Sequence, residues 1–248
     1  LAYPNVLEGV LNGSALGRRY RFDVLNFGVG GYASTDEALV FEHKALRWRP
    51  RIVVIGYVLD DPQTEPIQPL HSYYQRVHWW QHLHLLRLVA QAVNAREIWT
   101  RGRGNYVRYL HAPKAGKWKS VERAFENIGR LARAGDVRVI VAILPGIPAA
   151  QARWDAYPYC DIHAQVAALA RTSGFEVVDP LERFSRYEPE TLRVSDSDGH
   201  PNVLGHEVIA EALRAHIEGA LVDNERGLAV GRRSRVNGGS APREGHGG

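Results

Sequence analysis

Residues 51–58 read RIVVIGYV and residues 137–144 read VRVIVAIL. Both runs are almost wholly apolar and rich in β-branched residues, without the alternation of a half-exposed strand. That pattern belongs to parallel strands covered on both faces. Around them the period changes. Tyr3, Val6, Leu7 and Val10 share one face of a helix, and helices are predicted over 119–134, 162–172 and 203–221, with Asn202 as N-cap of the last. Short apolar runs predict further strands at Phe22–Asn26 and Phe175–Val178, and Ser34 or Thr35 caps a helix to about Trp48. Alternating strands and helices predict a mostly parallel sheet between two helix layers. Residues 62–78 read as a loop. Residues 79–99 read as a helix with one apolar face, and their histidines and arginines break any run near the ~20 apolar residues a membrane span needs.

The composition agrees with one α/β domain. The chain has 248 residues, 45% hydrophobic and 23% charged, enough to bury its own core. It is no disordered chain, collagen or disulfide scaffold, and the lone Cys160 can form no internal bridge. The net charge of +4 sits entirely in residues 226–248, which hold five arginines and one acid. That Gly/Arg-rich segment reads as disordered, dividing the chain into a domain over 1–221 and a basic tail over 222–248. Such a tail can meet an anionic surface, but the body is charge-balanced, so nucleic acid is not an expected partner.

Three loops carry residues with chemistry, each following a strand or opening a helix, where ligands of such sheets sit. Residues 195–206 read SDSDGHPNVLGH. A carboxylate from Asp198 can accept the Nδ1–H of His200 and leave Nε2 as a base. A helix-entry loop with a surface histidine accounts for the same residues, and Asp198, His200 and His206 could instead bind a metal, although no further ligand has recognisable spacing. Residues 26–31 read NFGVGG, a turn whose backbone N–H groups can face a ligand, without the spacing of a dinucleotide fingerprint. Asp60 and Asp61 end the apolar strand, at an active-site rim or as a turn cap before Pro62.

Taken together and in this order, the three loops resemble those of the SGNH, or GDSL-type, hydrolase superfamily. LNFGVGGYAS is similar to the second block of that family, VVIGYVLDD to the third and HPNVLGH with Asp198 to the fifth. The resemblance implies a flavodoxin-like α/β/α fold and a serine ester hydrolase: carboxylesterase, acetylesterase or lipase-like. Asp198 and His200 are the implied catalytic pair, and Gly31 and Asp60 the implied oxyanion-hole positions. No metal or organic cofactor is implied, and the substrate is a small-molecule or glycan ester.

Two departures bear on that expectation. The third block normally supplies an Asn amide, and here the position is Asp60, which can donate a hydrogen bond only when protonated. Asp198 lies two residues before His200, where many members have three, so Asp196 is a second candidate acid. The first block, a Gly-Asp-Ser turn after a central strand, has no match in residues 1–25. Ser14 sits in a loop and Ser34 reads as a helix cap, so no residue of the chain is assigned as nucleophile. The chain lacks methionine and opens on Leu1 inside a helical pattern, so the serine and its strand are expected upstream, as any signal peptide or anchor would be. A non-catalytic carbohydrate- or ligand-binding protein on this fold, or an O-acyltransferase acting on a polysaccharide, are the alternative readings.

Overall fold

The structure is a computed structural model that describes residues 2–63, 102–113, 116–148 and 152–237, with scattered positions between 85 and 100 and side chains up to Leu221. Three parallel strands form its sheet in the order β1 (Ile52–Tyr57), β2 (Arg138–Ile143) and β3 (Glu176–Val178). Ile52 pairs with Arg138 through to Tyr57 with Ile143, and Ile140 with Glu176 through to Ala142 with Val178. Helices surround it: α1 (Tyr3–Gly13), α2 (Ser34–His43), α3 (Tyr106–Leu110), α4 (Gly116–Gly135), α5 (Cys160–Thr172), α6 (Leu181–Phe184), α7 (Pro189–Leu192) and α8 (Val203–Asn237).

Alternate residues of each strand point to opposite faces, and each face has its own core. Ile55, Tyr57, Val139, Val141 and Ile143 meet α2, α4 and α5. Ile140, Ala142 and Val178 meet α1 and α8. The protein is therefore a three-layer α/β/α sandwich. In α4, Trp118, Val121, Phe125, Ile128 and Ala132 recur at helical spacing and are all buried, the stripe a covering helix needs. On the opposite face Leu7 and Leu11 of α1 pack with Ile209, Leu213 and Ile217 of α8.

Three expectations differ from the structure. Phe22–Asn26 is no strand. A ladder needs a neighbouring backbone, and this segment instead borrows side chains of α1: Asn12 bonds both the N–H and the carbonyl of Phe22, at 2.9 and 2.8 Å, and Glu8 accepts the N–H of Val24 at 2.7 Å. Neither Ser34 nor Thr35 caps α2. Ala33 holds the N-cap position, where the Asp36 carboxylate accepts its N–H at 3.1 Å, and α2 ends at His43. Finally, α8 runs on to Asn237, where the last helix was expected to end at Leu221. Arg, Glu, Leu and Ala in that run are good helix formers, and extending an anchored helix avoids the cost of nucleation. The loop and helix expected over 62–99 lie mostly outside the described residues. Among the described residues no helix is long and apolar enough to cross a membrane.

Candidate active site

The entry to α8 is built by Asn202. Its Oδ1 accepts the N–H of Gly205 at 3.2 Å, the N-cap bond, while its Nδ2 reaches back to the carbonyls of Thr191 and Arg193. Arg193 bridges to Pro201, and Val194 N–H donates to the His200 carbonyl at 3.0 Å. Residues 194–200 thus form a loop closed at its base. Within it His200 Nδ1 lies 2.5 Å from Asp198 Oδ1, and the same oxygen accepts the His200 backbone N–H at 3.0 Å. Those two bonds hold the Asp198 carboxyl below its usual range. In the neutral imidazole the carboxylate must accept from Nδ1–H, which leaves Nε2 as the acceptor. The His200 side chain is 87% exposed, and among the described residues Nε2 has no protein partner.

Asp196 goes elsewhere: its carboxylate pairs with Arg193 at 2.7 Å. His206 also lies apart from His200 in its contacts. Its ring stacks on Tyr3 of α1, and its Nδ1 is buried with no partner among the described residues, which lowers its pKa by desolvation. No group of three His, Cys, Asp or Glu side chains gathers as metal ligands among the described residues.

Gly31 and Asp60 occupy neighbouring loops. Gly31 has φ 84°, a left-handed conformation in which a side chain would be strained. Asn26 Oδ1 accepts the Gly28 N–H at 2.9 Å at the head of that turn. The Ser34 N–H donates to the Asp61 carbonyl at 3.1 Å and joins the two loops, while the Asp61 carboxylate accepts the Val58 N–H at 3.0 Å. Asp60 is exposed and Asp61 buried. No hydrogen bond or ion pair among the described residues links Gly31 or Asp60 to His200.

Beneath these loops lies a buried acidic cluster that the sequence did not announce. Desolvation raises Asp61 well above its usual value, reinforced by the charge of Glu37. Burial of the Glu37 carboxyl, then the charge of Asp36, raises Glu37 to about 7. Although Glu37 is partly exposed as a residue, its Oε2 is fully buried with no partner among the described residues, as is Ser34 Oγ. Tyr3 completes the cluster, raised to about 12 by desolvation and by both acids. Its hydroxyl fills the space beside Gly56, where a Cβ would approach to 2.5 Å. Ser14 Oγ accepts the N–H groups of Leu16 and Gly17, a turn role.

A comparison with family models matches residues 9–208 to the GDSL-like lipase/acylhydrolase family. No curated protein and no solved structure matches. That match spans all three strands, parts of both helix layers and the loops bearing Gly31, Asp60, Asp198 and His200. The chain belongs to the GDSL-like lipase/acylhydrolase family.

Proposed function

We propose that the protein is a serine ester hydrolase in which His200 is the general base, Asp198 orients it, and Gly31 and Asp60 line the oxyanion side. The nucleophilic serine of this reading lies on a strand preceding Leu1. The observation that carries it is the Asp198–His200 bond at 2.5 Å with an exposed, acceptor-ready Nε2. One feature supports the preceding strand: the edge of β1 away from β2 has no ladder partner among the described residues.

The serine Oγ attacks the ester carbonyl carbon as His200 Nε2 takes its proton. The carbonyl oxygen becomes an oxyanion beside the Gly31 N–H. Collapse breaks the ester bond, and the imidazolium returns the proton to the leaving alkoxide. Water, activated by the same nitrogen, then hydrolyses the acyl-enzyme. An acceptor hydroxyl on a polysaccharide in place of water makes the same intermediate an O-acyltransferase. A specific observation favours a ligand-binding protein instead: the carboxylate of Asp60 stands where the family has an amide donor.

The test is hydrolysis of a short-chain nitrophenyl ester by the chain extended through its preceding segment, with and without chelator. His200→Ala should lower kcat on the order of 10³-fold or more, chelator should change nothing, and Asp60→Asn should raise kcat. Full hydrolysis by His200→Ala overturns the assignment, and absence of turnover in the parent with gain of it in Asp60→Asn identifies the binding protein.

A further inference from the structure

A surface groove near the His200 loop is unused by the ester chemistry. It has a volume of about 400 Å³ and opens between residues 153–155 and residues 185–189, within the ~300–1,000 Å³ of small-molecule sites. Trp154 gives it a fixed aromatic wall. The indole packs edge-on against Phe184 at 5.9 Å and beside Tyr157 at 5.9 Å, and its Nε1–H donates to the Tyr187 carbonyl at 2.9 Å. That bond ties the two sides of the groove together and orients the indole in advance of any ligand. Tyr187, on the other segment, is 40% exposed.

The rest of the lining is charged and balanced. Arg153 pairs with Asp155 at 3.6 Å, Arg186 with Glu182 at 2.7 Å, and Glu188 adds a further carboxylate. All five are exposed. These groups decide the ligand class. An acyl chain would strip water from Arg153, Asp155, Arg186 and Glu188 and return no hydrogen bond. A phosphate or carboxylate ligand needs an excess of positive charge, and both arginines already face carboxylates. A neutral sugar fits both features. The C–H face of a pyranose lies on an aromatic ring, and each hydroxyl can accept from a guanidinium and donate to a carboxylate.

The position of the groove relates it to His200. Glu188 and Pro189 lead into α7, whose four residues carry the chain only ~6 Å to Arg193. There Arg193 Nη1 donates to the Pro148 carbonyl at 3.3 Å, in the segment that precedes Arg153, and the next residue, Val194, donates its N–H to the His200 carbonyl at 3.0 Å. The step from groove to imidazole is therefore longer than an acetyl group and suits neighbouring units of one oligosaccharide.

We propose that this groove is a neutral-sugar subsite, which holds a glycan while His200 acts on an ester carried by a nearby unit of the same glycan. The second half rests on the reading of His200 as the base; the first is tested apart from catalysis.

The test titrates the chain with xylotetraose, cellotetraose and chitotetraose and follows the tryptophan indole ¹⁵N–H resonances, with that of Trp154 assigned by its loss in Trp154→Phe. At least one of the three should shift the Trp154 resonance with a Kd on the order of 1 mM, the scale of one open subsite. Tyr187→Ala removes the exposed ring and should weaken that binding about 5- to 10-fold, with a cooperative melt because the ring lies at the surface. Tyr187→Phe, which keeps the ring, should recover most of it. In the extended, ester-hydrolysing chain, kcat/KM for an acetylated form of the bound tetrasaccharide should fall about 10-fold in Tyr187→Ala. A Trp154 resonance unmoved by all three sugars, or equal binding by the parent and Tyr187→Ala, overturns the subsite. Binding lost in Tyr187→Ala with kcat/KM unchanged overturns its part in the reaction. If sugar binds but His200→Ala leaves hydrolysis intact, the subsite stands and the assignment of the base fails instead.

Discussion

Replacing Glu37 by Gln should make the protein more stable above neutral pH and change little at pH 4. The Glu37 carboxyl is raised from 4.5 to about 7, first by desolvation and then by the charge of Asp36. The folded state therefore holds a proton that the unfolded chain has released. Stability from this group is fully present below pH 4.5 and is lost as pH rises through about 7. At about 1.4 kcal/mol per pH unit, the gap from 4.5 to about 7 corresponds to about 3 kcal/mol. That is a large fraction of the ~5–15 kcal/mol that holds a domain folded. Gln mimics the neutral acid in shape and carries no charge to bury. Urea unfolding followed by tryptophan fluorescence, at intervals from pH 4 to 9, gives the stability of both proteins. The quantity to plot is variant minus parent, because every other titrating group is common to both, and only Asp61, Tyr3 and Tyr57 lose a charged neighbour. That difference should climb by up to about 3 kcal/mol between pH 4.5 and 8 and then level. A flat difference, or one that falls with pH, would refute the reasoning, because the Glu37 carboxyl would then ionise in the folded state as freely as in water.

The histidines give the opposite limb. Burial holds His111 below its usual value of 6.5, with its Nε2 taking the Tyr57 hydroxyl at 2.8 Å, so its contribution is present above 6.5 and lost as pH falls through the folded value; His111→Gln should flatten that acid limb in the same urea series. Phe125→Ala, at the fully buried centre of the α4 face, should cost about 3–5 kcal/mol in urea midpoint analysis without changing the m-value. Asn202→Ala removes the N-cap bond of α8 and both tethers to the loop base; it should cost about 1–2 kcal/mol and broaden the His200 resonances in the histidine spectrum.

Local pattern sufficed for much of this fold. β1, β2 and β3 are legible because their apolar runs need no partner to be recognised, and α4 because its stripe from Trp118 to Ala132 has one period throughout. The Asp198–His200 pair is legible for the same reason: two residues of separation let a carboxylate reach Nδ1 within one turn. Asn202 was readable as a cap from its place before an apolar helix. Other features depended on what lies across the fold. Phe22–Asn26 has the composition of a strand, but a strand exists only beside another backbone, and its bonds go to α1 instead. Glu37 and Asp61 are ordinary acids by their neighbours in sequence, and become high-pKa groups only where α2 and the loop after β1 exclude water from both. Trp154 and Tyr187 line one groove from segments far apart in sequence, so no spacing rule joins them. Periodicity and capping are decided within a few residues of chain. Ladder partners, desolvation and the walls of a groove are decided by groups that meet only once the sheet and its helix layers have packed.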